Sequence, residues 1–299
     1  MYWRLHLASM PIRQIHILPG ETSQLAVSDT RRRVRFYDLQ TGAHYSDLEI
    51  DPDLLDNDVP EERREGLLAL RAPNNAFLPF VEFNSSHLYV SEDGKLRLIH
   101  DLDAGLTLEI DDNSIPLEID GSVAMAHLDR ELGTVAGLTE DNILHIFQQQ
   151  TRVGRVDMED AHILRLFVLS GGGQVLVVEP ERLRLIDSAG KTARSQETHY
   201  TIGQVALSPD GNWLMISDAD HQLLRLYNRD LIPIRQQHAV DLLSQAQQVQ
   251  LFVNTPAPEA PLSTLDIINE GIFSFAMAGV LCTAHIQLMT ELPQPRLLL

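Results

Sequence analysis

The stretch "VALSPDGNWLMISDADHQLLRLYN", Val205 to Asn228, holds three short apolar segments separated by turn residues. The first two are apolar runs, the third interleaves Arg225 between Leu224 and Leu226, and Ser-Pro-Asp-Gly-Asn and Asp-Ala-Asp separate them. Short runs and period-two alternation between Gly, Asn, Asp and Pro turns predict antiparallel strands joined by hairpins. The 3.6-residue apolar period of a helix is absent.

The third segment returns along the chain. "VRFYDLQTG" starts at Val34, "LRLIHDLDAG" at Leu96, "LHIFQQQ" at Leu144, "LRLIDSAG" at Leu183 and "LRLYNRD" at Leu224, with a fainter "AHIQLM" at Ala284. Before each lies a strand ending in a polar turn: "QLAVSDT", "HLYVSED", "TVAGLTED", "QVLVVEP", "WLMISDAD" and "IFSFAMAG". Before most of those lies another apolar strand and a tight turn, as in "IHILPGETS", "VEFNSS" and "LFVLSGGG". A further extended segment follows, such as "HYSDLEI" or "LTLEI". Four strands repeated about every forty residues are the pattern of a propeller blade. The expected fold is therefore all-β, a β-propeller of four-stranded antiparallel blades, with six blades visible and seven as the alternative. It is read as one domain over 1–299, with insertions at 51–75 and 241–262. To close the last blade, "YWRLHLA" at Tyr2–Ala8 is expected to pair beside "LCTAHIQLM", with the C-terminal "RLLL" as the rival.

Val205 to Asn228 resembles a blade of the WD-repeat family, whose inner strand ends in Ser-Pro-Asp-Gly and whose turn aspartate precedes a "VRLWD"-like third strand. Asp93 to Leu98 matches the aspartate-to-third-strand portion, and Val34 to Gly42 matches the "WDLxTG" end with Tyr37 in the tryptophan position. The resemblance spans roughly residues 12–240. The Trp-Asp and Gly-His dipeptides of the family do not occur, and the two tryptophans are Trp3 and Trp213. The resemblance implies a rigid interaction scaffold rather than an enzyme.

Composition narrows the partners. The chain has 299 residues, 44% of them hydrophobic, and a net charge of −19 from 23 basic and 42 acidic side chains. That field repels nucleic-acid phosphates and anionic lipid. No apolar run is long enough to span a bilayer. The single cysteine, Cys282, cannot form an internal disulfide, which fits a reducing compartment; with no signal peptide read at "MYWRLHLASM", the expected location is cytoplasmic.

No phosphate loop, metalloprotease helix, Cys/His metal spacing or nucleophile elbow is present. No catalytic, cofactor or metal residue is therefore assigned. Carboxylates recur in the turns after the second strands: Asp29, Glu92, Asp93, Glu140, Asp141, Glu179, Glu181, Asp218 and Asp220. Equivalent turns of a propeller open on one face, so these form the candidate partner-binding face, although Asp and Asn also favour turns for backbone reasons. The insertions add candidate docking residues. Asp51, Asp53, Asp56, Asp58, Glu61 and Glu62 make the first acidic. The second starts like a short helix capped by Asp241, with Leu242, Ala246, Val249 and Phe252–Val253 near one face, and offers Leu242, Leu243, Val249 and Phe252 as candidate docking residues.

One further slot is basic. Arg35, Arg97, Arg184 and Arg225 share a position in the third strands, with His145 and His285 read into it elsewhere. Long arginine stems packing between blades account for it without an anion site.

The reading is a non-catalytic scaffold or adaptor subunit with no cofactor, whose partners are other protein subunits with basic surfaces. One alternative is a lactonase-type six-bladed enzyme with a channel metal, for which Glu82 and Asp266 are the inner-strand carboxylates. The other is a receptor for basic peptide segments on the acidic face.

Overall fold

The repeated phrases fold as strands. The computed structural model describes residues 3–6, 12–18, 22–29, 33–49, 72–74, 86–90, 95–101, 105–111, 113–129, 133–159, 161–171, 173–219, 222–245, 247–248, 262–277 and 279–292. Among them, six sheets form, four of four strands and two of five. They are the blades of a six-bladed β-propeller. Contacts group the chain into two units, residues 1–50 with 200–299 and residues 51–199, each holding three sheets.

In the first unit, β2 (Ile12–Leu18), β3 (Gln24–Asp29), β4 (Arg33–Asp38) and β5 (His44–Glu49) form one sheet in chain order. A second is β18 (Ile202–Leu207), β19 (Trp213–Asp218), β20 (Leu223–Asn228) and β21 (Pro233–His238), widened by β26 (Thr290–Glu291). The third is β23 (Leu262–Ile267), β24 (Ile272–Met277) and β25 (Val280–His285), completed by β1 (Trp3–His6) and β22 (Gln247–Gln248). The expected closure is observed: β1 pairs antiparallel to β25, Trp3 opposite Thr283. The rival "RLLL" lies outside the described residues.

The second unit holds three four-stranded sheets. They are β6 (Ser86–Val90) to β9 (Asn113–Leu117), β10 (Val123–Leu128) to β13 (Thr151–Asp157), and β14 (Arg165–Val168) to β17 (Thr192–Glu197). Their middle strands are β7 (Leu96–Asp101) and β8 (Gly105–Ile110), β11 (Thr134–Thr139) and β12 (Ile143–Gln148), and β15 (Gln174–Glu179) and β16 (Arg182–Asp187). β9 is additional to the repeat pattern. It adds an outer strand beyond β8, and Pro116 is tolerated there because an edge strand leaves one side of its backbone unpaired. The inner strand read at "VEFNSS" falls on residues outside the description except Ser86.

Burial falls from the middle of each sheet to its edge. All six residues of β3 and of β11 are buried, while β17, "TARSQE", is almost wholly exposed. Sheets pack on both faces of a second strand, so its apolar run is continuous rather than alternating. A register shift recurs between third and fourth strands, at Phe36/Tyr37, Ile146/Phe147, Leu185/Ile186 and Leu226/Tyr227. The extra residue in β5 is Tyr45 and in β13 Val153, and these two are exposed by 59% and 37%. A bulge there twists the outer edge and discourages pairing with a foreign strand.

Two expectations are corrected. The sixth third strand is β25, so "AHIQLM" is only its end, running into a 3-10 turn at Ile286–Leu288. The helix of the second insertion, α1, spans Ala239–Gln245. Asp241 therefore lies inside its first turn and does not cap it. Leu242 and Leu243 are buried with Leu224, Leu226, Phe273 and Phe275, so they are core rather than a docking face. Val249 and Phe252 lie outside the described residues, and Gln247–Gln248 are already strand, so the apolar positions do not form one continuous helical face.

Candidate partner-binding face

The turn between second and third strands is clamped from outside. In four sheets the residue following the fourth strand, or its counterpart, donates its N–H to a carbonyl of that turn. The pairs are Asp111 to Lys95 (3.0 Å), Met158 to Asn142 (2.9 Å), Thr198 to Glu181 (2.9 Å) and Ala239 to Gln222 (3.1 Å). At the β11–β12 turn the Asn142 side chain also donates to the Glu159 carbonyl at 3.2 Å. Asn142 and Glu159 both have positive φ, 59° and 54°, and Asn is among the side chains that tolerate this conformation best. The result brings two short acidic segments together, Glu140–Asp141 and Asp157–Glu159, and all four carboxylate side chains are exposed. The second-to-third turns alone do not reveal Asp157 and Glu159. Their signal in the sequence is an acid on either side of Met158 at the end of β13.

The remaining candidates separate by burial. Glu181 is exposed. Asp29, Glu179 and Asp218 close their second strands and are buried, so they are not part of an exposed face. Asp29 accepts the Arg33 backbone N–H at 3.0 Å. Glu179 is ion-paired with Arg184 and lies 3.7 Å from Arg182, and Asp218 lies 3.5 Å from Arg225. An acid in this place meets an unfilled backbone donor or the basic slot of the next strand, which draws it inward. Glu92, Asp93, Asp220 and the six acids of the first insertion lie outside the described residues.

The basic slot finds its polar partners within its own blade. Arg35 sits opposite Asp47, Arg97 opposite Glu109 (Nη1–Oε2 3.7 Å) and Arg225 opposite Gln236 (Nη1–Oε1 3.0 Å). Arg225 also lies over the Tyr200 ring, 4.5 Å from its centroid. The Tyr200 and Tyr227 hydroxyls are 2.7 Å apart, and burial raises both phenol pKa values above their ordinary range. His285 does not occupy this slot. Strand register gives it to Cys282, a buried free thiol whose pKa burial pushes up. His285 instead closes its third strand, as Asp38, Asp187 and Asn228 close theirs, and Nδ1 accepts the Gln287 N–H at 3.1 Å. Asp38, Asp187 and Asn228 do the same at their exit turns, accepting from Thr41 at 2.7 Å, Lys191 at 2.8 Å and Ile232 at 2.9 Å.

Of the two inner-strand carboxylates, Glu82 lies outside the described residues, and Asp266, on β23, is already engaged. Oδ2 accepts the Ile17 N–H of β2 at 2.6 Å, and Oδ1 accepts the Ile267 N–H at 2.9 Å. The same link recurs in the second unit, where His127 of β10 accepts the Val168 N–H of β14 at 3.0 Å. A side-chain acceptor at one place in an inner strand thus ties it to the next inner strand. Asp266→Ala is expected to destabilise the protein by about 1–3 kcal/mol by orphaning the Ile17 amide. Asp266→Asn, which keeps an acceptor, is expected to lose less, as urea unfolding would show. Among the described residues no group of three or more His, Cys, Asp or Glu is placed to hold a metal ion. No described helix is long and apolar enough to cross a membrane.

Six blades with these strand orders define a six-bladed β-propeller. No family model matches the chain, and no curated protein matches it. Among solved structures, the crystal structure of Raptor from Chaetomium thermophilum is similar with a TM-score of 0.68 at 12% identity, over 98% of this chain and 29% of that one. The chain thus spans less than a third of Raptor's length. The WD40 β-propeller domain of Doa1 is similar with a TM-score of 0.55 at 11% identity, over 94% of this chain and 96% of that one. Identities this low establish the fold alone, and a fold shared so widely does not fix function.

Proposed function

We propose that the chain is one non-catalytic propeller of the cytoplasm, acting as an interaction scaffold or adaptor subunit for protein partners with basic surfaces. The observation that carries this reading is the corner formed by Glu140, Asp141, Asp157 and Glu159. These four exposed carboxylates stand on backbone clamped by the Met158–Asn142 and Asn142–Glu159 hydrogen bonds. A rigid scaffold presenting charge from its turns lowers the ordering cost of binding, and complementary charge speeds encounter. Glu181 is also exposed, and the sequence Asp51–Glu62 is rich in the same carboxylates.

The test is affinity capture of the tagged full chain from its own cell. It is compared with the variant Glu140→Gln, Asp141→Asn, Asp157→Asn, Glu159→Gln. A stoichiometric protein partner is expected, held at least about tenfold more weakly by the variant and released by salt. Equal capture by a variant of unchanged melting temperature overturns the acidic corner. Elution of the wild type alone, as a monomer, overturns the scaffold.

A further inference from the structure

Third strands carry an arginine in the basic slot of four sheets, and β12 carries His145. The surroundings change with it. Where the arginine is present, the second strand ends in an acid in three described sheets: Asp29, Glu179 and Asp218. In the β10–β13 sheet that place is Thr139. Across the fourth strand, Arg35 faces Asp47 and Arg97 faces Glu109, but His145 faces Arg155. The counter-charges of the slot are therefore missing here, and one is replaced by a like charge.

His145 is fully buried, and neither ring nitrogen has a hydrogen-bond partner. Its ring stacks on Phe147, centroids 6.4 Å apart. Opposite it on β11 stands Gly137, where a Cβ would meet Leu106 and Ile119 at 2.8 Å, so apolar side chains close over this face of the sheet. The charged groups around it come from few elements. β13 supplies Arg152 and Arg155, and the segment before β10 supplies Asp120, which is exposed and 3.6 Å from Arg152. β11 supplies none, and on β8 Glu109 is engaged by Arg97.

We propose that the packing of the β10–β13 sheet against the β6–β9 sheet is an acid-sensitive joint, released when His145 takes up a proton between Arg152 and Arg155. In the neutral form the imidazole behaves as one more ring in an apolar layer with Phe147, Leu106 and Ile119. In the charged form it is a buried cation with a like charge directly across the strand pair, and such pairs are destabilising. Burial, followed by the two arginines, pushes its pKa below the ordinary imidazole range. The unfolded chain therefore takes up this proton first, so stability contributed by neutral His145 is complete above the ordinary imidazole pKa of about 6.5. It is lost as pH falls from there toward the lower folded value.

The experiment measures urea unfolding of the full chain from pH 7.5 to 5, with hydrogen exchange of β12 and β13 at both ends of that range. Other histidines also titrate, so the difference from variants is the readout. Wild type is expected to show a severalfold fall in the folding equilibrium constant that His145→Phe lacks, with β12 and β13 losing protection in wild type alone. Arg155→Glu restores the arrangement seen at Arg97 and Glu109, at an exposed position that does not depend on repacking. It is expected to abolish or reverse the acid loss. If wild type, His145→Phe and Arg155→Glu decline in parallel, the joint does not exist. If His145→Phe does not fold, parallel decline of wild type and Arg155→Glu overturns it equally.

Discussion

Trp3→Ala is expected to destabilise the protein by about 3–5 kcal/mol, the range for truncating a large buried aromatic. Trp3 is 2% exposed and packs with Leu5, Ile17, Leu25, Tyr37 and Leu281. It also makes a polar link that apolar substitutes cannot, since its indole N–H donates to the Leu39 carbonyl at 2.8 Å. Leu39 follows β4 directly, so one side chain fastens the sheet containing β1 to the sheet of β2–β5. Arg4 adds a second fastening, donating from Nη1 to the Leu243 carbonyl at 2.7 Å near the end of α1. Trp3→Phe separates the two contributions. It keeps most of the apolar contact and loses the hydrogen bond, and is expected to fall by roughly 1–2 kcal/mol. Urea unfolding followed by the remaining Trp213 fluorescence measures both. A Trp3→Ala midpoint within error of wild type would show that β1 contributes nothing to closing its sheet.

Gly154→Ala is expected to cost about 2–3 kcal/mol despite adding one methyl group, at the upper end of overpacking effects. A Cβ at Gly154 would stand 2.6 Å from the Ser188 carbonyl oxygen and 3.2 Å from the Gly190 amide nitrogen. Both are backbone atoms of the β16–β17 turn and cannot rotate aside. The turn is itself held, since Asp187 Oδ1 accepts the Ala189 and Lys191 N–H groups at 3.0 and 2.8 Å. Gly190 approaches from the other side, with φ at +84° and a Cβ position 2.7 Å from Val156 Cγ2. The two glycines let β13 and the neighbouring turn touch through their backbones. Thermal unfolding with hydrogen exchange is the measurement, and loss of protection is expected in β12, β13, β16 and β17. A variant as stable as wild type would mean the turn yields, and that the close approach is not a constraint.

Strand order is legible in the sequence because second strands repeat an apolar run, third strands an alternation, and both their turn chemistry. The last repeat shows where that legibility stops. "VLCTAH" carries no basic residue before its final histidine, so anchoring on the arginine slot slides the repeat forward to His285, and strand register returns the slot to Cys282. The outer strand β9 is hidden because "NSIPL" has a proline and little alternation. The acidic turns are legible as acids but not by depth. Glu179 and Glu181 are two residues apart, yet the first is drawn onto Arg184 and the second is exposed. That difference depends on which side of the strand end each side chain leaves, and only pairing register decides it. Half of the acidic corner is hidden for another reason: Asp157 and Glu159 reach the turn of Glu140 and Asp141 only through hydrogen bonds across the strand pair.

Pairing of β1 with β25 also has a consequence for synthesis. Trp3 cannot meet Thr283 until nearly the whole chain between them has left the ribosome. The interval is one of the longest loops the chain can close, and closure of this kind slows folding more than it weakens the final state. During translation β1 is an unpaired strand, with Trp3 and Leu5 still uncovered, while β2 to β21 are already able to form their own sheets. A nascent chain in that condition exposes a strand in search of an edge, which is the kind of surface chaperones bind. The hydrogen bonds that hold the last sheet together therefore set a waiting time as well as a stability.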